Sequence, residues 1–363
     1  MSVSRFKSFI KSHVKYLVLF SVFVASVIIH VLTRSSHTFS DLLNLGLSTH
    51  IRATLSVINS VVPFSLSEII LVLLPIVLIA TPIYSMVKKD SASKVLLVLI
   101  SILVTLYALF VLAFAPAYGA TPAAKLFMLT DKSAELSELT ESAYILADEI
   151  NGLADEIVFE DGSFSDMDYD LDTLGDKLIE SYDKLHTSYP FIKNFHSRLK
   201  PILLSKPLTY THISGVYAYY TGESNINTNF PDYTIPFTSA HEMAHARGFA
   251  RQNEANFVAF LVCENADDPY VRYSGKLSML EYITNAIYTD DPVLSSKILL
   301  SLDRRVLGDI IAYSEFFEEY RDSEASEVAS AVNDTVLKSQ GVAEGEKSYG
   351  LVIDLAVAYI LGK

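Results

Sequence analysis

A single cysteine, Cys263, excludes any disulfide framework within this chain, although it does not fix the compartment. Cys263 falls beside Leu261 and Val262 on the apolar side of a predicted helix, where packing is its expected role rather than metal ligation. Positive charge is scarce over the last two thirds: from residue 118 onward 19 Lys and Arg face 39 Asp and Glu, a formal charge of −20. Such a surface is a poor partner for nucleic acid or anionic lipid headgroups; it serves solubility first and attraction of cationic peptide segments second. There is no internal repeat and no low-complexity tract apart from the apolar runs. The acidic stretch from Glu160 to Asp166 lacks EF-hand spacing, so it reads as a solvated loop.

What the chain has in excess is apolar length. Half of its 363 residues are hydrophobic, too many for an ordinary soluble enzyme, and the excess lies at the front. Residues 16–32, 69–87 and 95–117 are each long enough to cross a hydrocarbon core of about 30 Å as a helix. The first is expected to remain as an anchor rather than a cleaved signal peptide, because no small-x-small site follows it and two further spans do. Arg5, Lys7, Lys11 and Lys15 precede the first span, and Lys88, Lys89 and Lys94 lie between the second and third, whereas the connector from Thr33 to Glu68 carries only Arg34 and Arg52. That bias puts the N-terminus and second loop in the cytoplasm and residues 118–363 outside, as an extracytoplasmic domain behind a 1–117 membrane anchor.

The most informative motif is His241-Glu242-Met243-Ala244-His245. Residues i and i+4 share a helix face, so two imidazoles in an HExxH spacing can hold one Zn²⁺ while the intervening Glu takes a proton from water. The competing structural reading is a capping box, with Ser239 as N-cap and Glu242 folded back on the first turn. Gly248 is placed to end the helix after His245, and a second helix is expected from about Gln252, with Phe257, Val258, Phe260 and Leu261 burying one side. Glu254, near its start, is the expected third metal ligand, over the plainer role of a helix-start carboxylate favoured by the dipole. A metzincin would place a third His where Arg251 stands, which rejects that subclass. Glu264, Asp267, Asp268 and His212 are rival ligands in less ordered contexts.

The block Thr221-Gly222-Glu223-Ser224-Asn225-Ile226-Asn227, then Pro236-Phe237-Thr238, the HExxH, Arg247-Gly248-Phe249-Ala250 and Glu254-Ala255-Asn256-Phe257 resembles a bacterial membrane-protein family, domain-of-unknown-function family 3810. The resemblance covers most of the chain, with a specific central block and weaker ends that include the apolar front and Tyr349 to Leu355. It implies a zinc-metallopeptidase-like protein without naming a substrate. The chain departs from the family at Gln252, where an acidic residue is expected more often; this favours Glu254 as the ligand. Asn253-Glu254 is also similar to the NExx helix of gluzincins, at a shorter distance from the second His.

The expected fold is mainly α, an α+β zincin-like domain behind three transmembrane helices. Helical stripes run from Ala123 to about Lys200, and more helices follow Cys263. Thr209 to Tyr220, rich in β-branched and aromatic residues, reads as a strand or hairpin arm, similar in order to the strand that borders a zincin cleft and pairs with an extended peptide. Tyr217, Tyr219 and Tyr220 are more simply core and rim aromatics. Gly350 to Leu361 is too short to span a membrane and reads as a buried closing helix.

The expected activity is that of a membrane-anchored zinc metallopeptidase: Zn²⁺ on His241, His245 and Glu254, with Glu242 as general base on the attacking water. His212, Tyr233 and Tyr349 are oxyanion-donor candidates, and Asp354 and Asn256 candidate partners for the imidazoles. The polar flanks Thr238, Ser239, Arg247 and Arg251 exclude cleavage inside the bilayer. Two further readings are hydrolysis of another envelope substrate, such as a peptidoglycan crosslink, and a catalytically silent membrane scaffold or sensor.

Overall fold

Three long apolar helices stand at one end of the chain. The computed structural model describes residues 3–88, 92–130, 132–160, 164–321, 323–340, 342 and 351–362. Helix α1 (Val3–Ser35) leads into α2 (His37–Leu43), a π-helical turn (Asn44–Ser48) and α3 (Thr49–Ser60), followed by α4 (Leu66–Lys88) and α5 (Ala92–Ala113). Val14–Ser35, Leu66–Lys88 and Ser93–Ala113 are long and apolar enough to cross a membrane. Large apolar side chains on them, such as Phe20, Leu71 and Leu103, are exposed, as lipid-facing residues are. The third span is shorter than expected: the helix breaks at Phe114 (φ −130, ψ −38), and Ala115–Gly119 form a separate short helix, α6.

The remainder comprises α7 (Ala123–Leu126), α8 (Leu136–Leu153), a small hairpin of β1 (Phe159–Glu160) and β2 (Phe164–Ser165), and α9 (Leu171–Ser188), then β3 (Leu199–Pro201), α10 (Ser205–Thr209), β4 (Gly215–Ala218) and β5 (Glu223–Ile226). Next come α11 (Ile235–Ala246), α12 (Gln252–Glu264), α13 (Pro269–Asp290), α14 (Pro292–Leu299), α15 (Arg304–Glu318), α16 (Glu324–Ser339) and α17 (Val352–Ile360). The mainly helical expectation holds. The acidic stretch from Glu160 lies at the β1–β2 hairpin, although Asp161, Gly162 and Ser163 fall outside the described residues. The strand expected over Thr209–Tyr220 is confined to β4, because the chain leaves α10 through a turn in which His212 has φ 58. β4 pairs antiparallel with β5, which pairs parallel with β3, so β4 is an edge strand.

Helix α12 is the axis of the core. Residues 254–263 are all buried, and Ala255, Phe257, Val258, Ala259, Leu261, Val262 and Cys263 are fully so. One apolar side was expected; the helix is enclosed all round, by α9, α11, α13 and α17, as a helix without a polar face must be. Gly275 on α13 meets Cys263 so closely that any Cβ would collide with it, which sets a tight α12–α13 crossing and gives Cys263 its packing role. The short apolar tail forms α17 and closes this core, as expected.

The connector between the first two spans is not a bare loop. Asn44 Nδ2 donates to the Gly248 carbonyl (3.0 Å) and Ser56 Oγ to the Gly222 carbonyl (2.6 Å), and Asn59 Nδ2 bonds the Thr221 carbonyl. Glu223 on β5 accepts from the backbone N–H groups of Leu66 (3.2 Å) and Ser67 (2.8 Å), capping the N-terminus of α4 from across the sheet. Asn225 accepts from Ser65 and Ser67 hydroxyls (2.6 and 3.0 Å). The Thr221–Asn227 block therefore fastens the sheet to the apolar helices. These bonds all cross the 117/118 boundary.

Arg52 completes this seam. It is fully buried and donates from Nε to the Ala246 carbonyl (2.8 Å), from Nη1 to the Ala113 carbonyl (2.6 Å), and from Nη2 to the Asn44 carbonyl (3.2 Å) and Thr49 Oγ1 (3.0 Å). Ala113 and Ala246 are the last residues of α5 and α11, whose terminal carbonyls lack partners within their own helices. Arg52→Met keeps most of the side-chain volume but strands those buried acceptors. It should cost about 2–5 kcal/mol, read as a lower unfolding midpoint of the detergent-solubilised full chain. An unchanged midpoint would refute the cap.

Candidate functional site

The HExxH helix begins earlier than a Ser239 cap requires. α11 starts at Ile235 with Pro236 in its first turn, so Ser239 is an interior, buried residue and the capping-box reading falls. Its end is as expected: Gly248 adopts φ 99, Gly248 N–H donates to the His245 carbonyl (3.1 Å) and Phe249 N–H to the Ala244 carbonyl (3.2 Å), the paired bonds of a Schellman turn. A Cβ on Gly248 would also strike Arg52 and Asn44. The same turn presents the Phe249 carbonyl to His245 Nδ1 (2.7 Å), which puts the ring proton on Nδ1 and leaves Nε2 with its lone pair.

His241 and His245 lie edge to face, ring centres 4.6 Å apart and planes 86° apart. The third side chain brought to them is Gln252, the first residue of α12. Its Oε1 lies 3.0 Å from His241 Nε2, and the same amide bonds the His245 ring. His241 Nδ1 is buried without a hydrogen-bond partner among the described residues; Asn256, a candidate for that role, instead donates from Nδ2 to Tyr282 Oη (3.2 Å).

Glu254 is directed elsewhere. Its Oε1 accepts from Arg251 Nη1 (2.7 Å) and from the Ala123 backbone N–H (2.9 Å), while Arg251 Nη2 holds the carbonyls of Tyr118 and Ala120 (2.7 and 2.9 Å). This pair clamps the segment after α6 to the start of α12. The expected triad of His241, His245 and Glu254 is thus not assembled: among the described residues no three His, Cys, Asp or Glu come together as a metal would require. The reason is angular. Residues 252 and 254 are two apart on a helix, about 200° around it, so only one can face α11. The rivals are occupied too: Glu264 by Lys276, Asp267 by Lys184, Asp268 by Lys177 and the N-terminus of α13, and His212 by the Tyr320 carbonyl (2.8 Å).

Glu242 is buried against the edge strand. Gly215 lies so close that a Cβ there would be 2.7 Å from Glu242 Cγ and Oε1, and the Tyr217 backbone N–H donates to the carboxylate. Burial pushes the Glu242 carboxyl up to about 8, offset only in part by that bond. Burial also lowers His241 to about 3, helped by the neighbouring His245, and His245 to about 4. Both imidazoles are therefore neutral at pH 7, as metal-ligating imidazoles must be.

Aromatic rings close the membrane side. Phe114 sets its edge on His245 (centres 5.9 Å apart) and packs on Tyr217 (5.5 Å) and Tyr118 (5.6 Å). Of the oxyanion candidates, His212 and Tyr233 are engaged, the latter with Glu281 (3.0 Å), and Tyr349 lies outside the described residues. Asp354 accepts from the Ala134 N–H (2.9 Å), so it orients neither imidazole. Gln252, Gly215, Tyr217 and Phe114 were not assigned to the site from sequence. Gln252 carried a signal in its departure from the expected acid, and Gly215 and Tyr217 lie in the stretch expected to border the cleft.

The family model described as a protein of unknown function, DUF3810, matches residues 44–357. No curated protein and no solved structure matches the chain.

The environment of Glu242 makes a testable statement about pH. A carboxyl raised from 4.5 to about 8 contributes its full stability below the unfolded value and loses it as pH rises through the folded one. Glu242→Gln keeps an acceptor for Tyr217 and abolishes the titration. It should raise the melting temperature of the metal-free full chain at pH 9, by a free energy on the order of a few kcal/mol, and leave it unchanged at pH 5. Equal shifts at both pH values would show that Glu242 is not held in a desolvated site.

Proposed function

This chain belongs to the DUF3810 family of proteins of unknown function, and from that starting point we propose that it is a membrane-anchored zinc-dependent peptidase whose main domain lies outside the cytoplasm. The observation that carries the reading is the placement of Glu242, a buried carboxyl against the backbone of an edge strand, on the same helix as two neutral imidazoles that lie edge to face.

The donor set fits a zinc ion, with one weakness. His241, His245 and the Gln252 amide oxygen would hold it, two imidazoles and a neutral oxygen where a carboxylate is more usual. When bound there, zinc would polarise the scissile carbonyl and bring the pKa of water towards neutrality. The chain supplies the rest. Glu242 receives the proton of the attacking water on its carboxylate and delivers it to the departing amine. Gly215 leaves room for that carboxylate, and the Tyr217 N–H fixes its orientation. The outward edge of β4, apart from the Tyr217 N–H that meets Glu242, would offer backbone groups to an extended peptide. Phe114, Tyr118 and Tyr217 keep bulk water from His245.

The orientation follows from the lysine and arginine bias; α2 bonds the end of α6, and α3 bonds the end of α11 and the turn before β5, so that three crossings would leave these elements on one side. One observation favours a catalytically silent scaffold instead, namely the hydrogen bond from His241 to Gln252, which satisfies the third donor without a cation.

Metal analysis of the purified full chain separates the two. The peptidase reading expects close to one zinc per wild-type chain, lost in His245→Ala, retained in Glu254→Gln and held more tightly in Gln252→Glu. Because cation binding favours the ionised carboxylate, zinc uptake at pH 7 should release about one proton in wild type and none in Glu242→Gln, measured calorimetrically in two buffers. Glu242→Gln should also lower peptide hydrolysis by roughly 10²-fold or more. A folded wild-type chain that takes up no zinc, with uptake appearing only in Gln252→Glu, would instead establish the scaffold.

A further inference from the structure

The position of this site relative to the membrane spans narrows its substrate. Arg52 bonds the Ala113 carbonyl, the last of the third span, and the Ala246 carbonyl, the residue after His245, with one guanidinium. The next residue along the chain, Phe114, has its ring against His245. The sheet is anchored in the same way: Glu223, paired with Ala218 of the edge strand, caps the first turn of the second span. The first span is held as well, since His37 Nδ1 bonds the Gly119 carbonyl at the end of α6 (2.8 Å) and the Gly119 backbone packs on Thr33. HExxH helix, edge strand and the ends of all three spans therefore meet in one layer. Because the spans fix where hydrocarbon stops, that layer is the membrane surface. Its lining is of the kind found there: Phe110, Phe114, Tyr118, Tyr217 and Tyr219 form a contiguous aromatic group.

We infer that the site takes membrane-tethered polypeptide, in the few residues that emerge from a span or a lipid anchor, and not free soluble peptide. This rests on the peptidase reading for the chemistry: water adds its oxygen to the carbonyl carbon, the C–N bond breaks, and the amine leaves with the proton. The location carries the substrate class. An anchored segment reaches β4 after a few residues at about 3.3 Å each, whereas a soluble chain must be drawn into the headgroup layer without an anchor to keep it there.

The test uses the full chain in lipid vesicles and one unstructured 40-residue sequence, supplied either free or with a palmitoyl group at one end. Cleavage positions are mapped by mass spectrometry, and binding is read separately by photocrosslinking to Glu242→Gln from benzophenone placed near the anchor or far from it. The expected result is cleavage confined to about the first ten residues from the anchor, at least tenfold faster than in the free peptide, with crosslinks from the near probe to β4 or Phe114. Cleavage of free peptide, or of distal bonds, at equal rates overturns the inference while the peptidase reading stands. Near-anchor crosslinks without cleavage leave the inference standing and overturn the peptidase reading. Neither crosslinks nor cleavage overturns both.

Discussion

A guanidinium buried without a carboxylate needs negative partners of another kind, and Arg52 finds them at the C-terminal ends of two helices. Each end carries carbonyls with no donor of their own and the negative pole of the aligned peptide dipoles. Burial lowers Arg52 only to about 10, so it stays charged at neutral pH. The cation joins the last span to the HExxH helix by the one feature both must have, a terminus. Much else assumes that junction. Only glycine fits at position 248, where Arg52 and Asn44 fill the space a Cβ would take and φ is positive, and the turn at Gly248 aims the Phe249 carbonyl that orients His245. The tautomer of a site imidazole is thus set, through four residues of chain, by the packing of a helix that precedes the second span.

Carboxylates play the complementary part on the same seam. Glu223 caps α4, Glu68 accepts from the N–H groups of Leu203 and Leu204 (2.9 and 2.8 Å), and Glu254 with Arg251 fixes the chain as it leaves α6. Each is a negative group satisfied by backbone donors, which stabilises it without a lysine or arginine partner in two of the three cases. Lys200 does the same with opposite sign, donating to the carbonyls of Asn59 and Val62. Charge in this layer fastens backbone to backbone. That accounts for the density of polar residues in the Thr221–Asn227 block, whose side chains are buried although no chemistry passes through them.

Features written in a local pattern were readable before the structure: the three apolar spans, the HExxH helix with its glycine stop, the restart at Gln252, the packing of Cys263 and the closing tail. What escaped was non-local. Ala115, Pro116 and Ala117 continue the apolar run of the third span to residue 117, but their burial comes from contact with α1, α2 and α5 rather than from lipid. The connector shows little in sequence beyond its two charges, whereas Arg52 is wholly internal because its acceptors lie far along the chain. Acid chemistry favours Glu254 over Gln252 as a ligand, but the helical period decides which of the two faces the imidazoles. Position 252 faces α11 and position 254 faces Ala123, and no residue preference changes that angle.

The same angle sets the electrostatics of the site. Of the four side chains gathered there, two are neutral imidazoles, one is an amide, and Glu242 is a carboxyl whose burial favours the protonated form. The metal-free arrangement is therefore uncharged at neutral pH and avoids the desolvation penalty that accompanies a buried ion. An acid at position 252 would place a second carboxylate in the same enclosure, and the two would repel until a cation arrived. Gln252 removes that repulsion and leaves Glu242 as the only group of the four able to answer a cation with charge. On the proposed reading, a cation and the Glu242 proton would compete for one state of the site. A neutral residue 252 therefore favours the uncharged arrangement in which His241 bonds Gln252 directly.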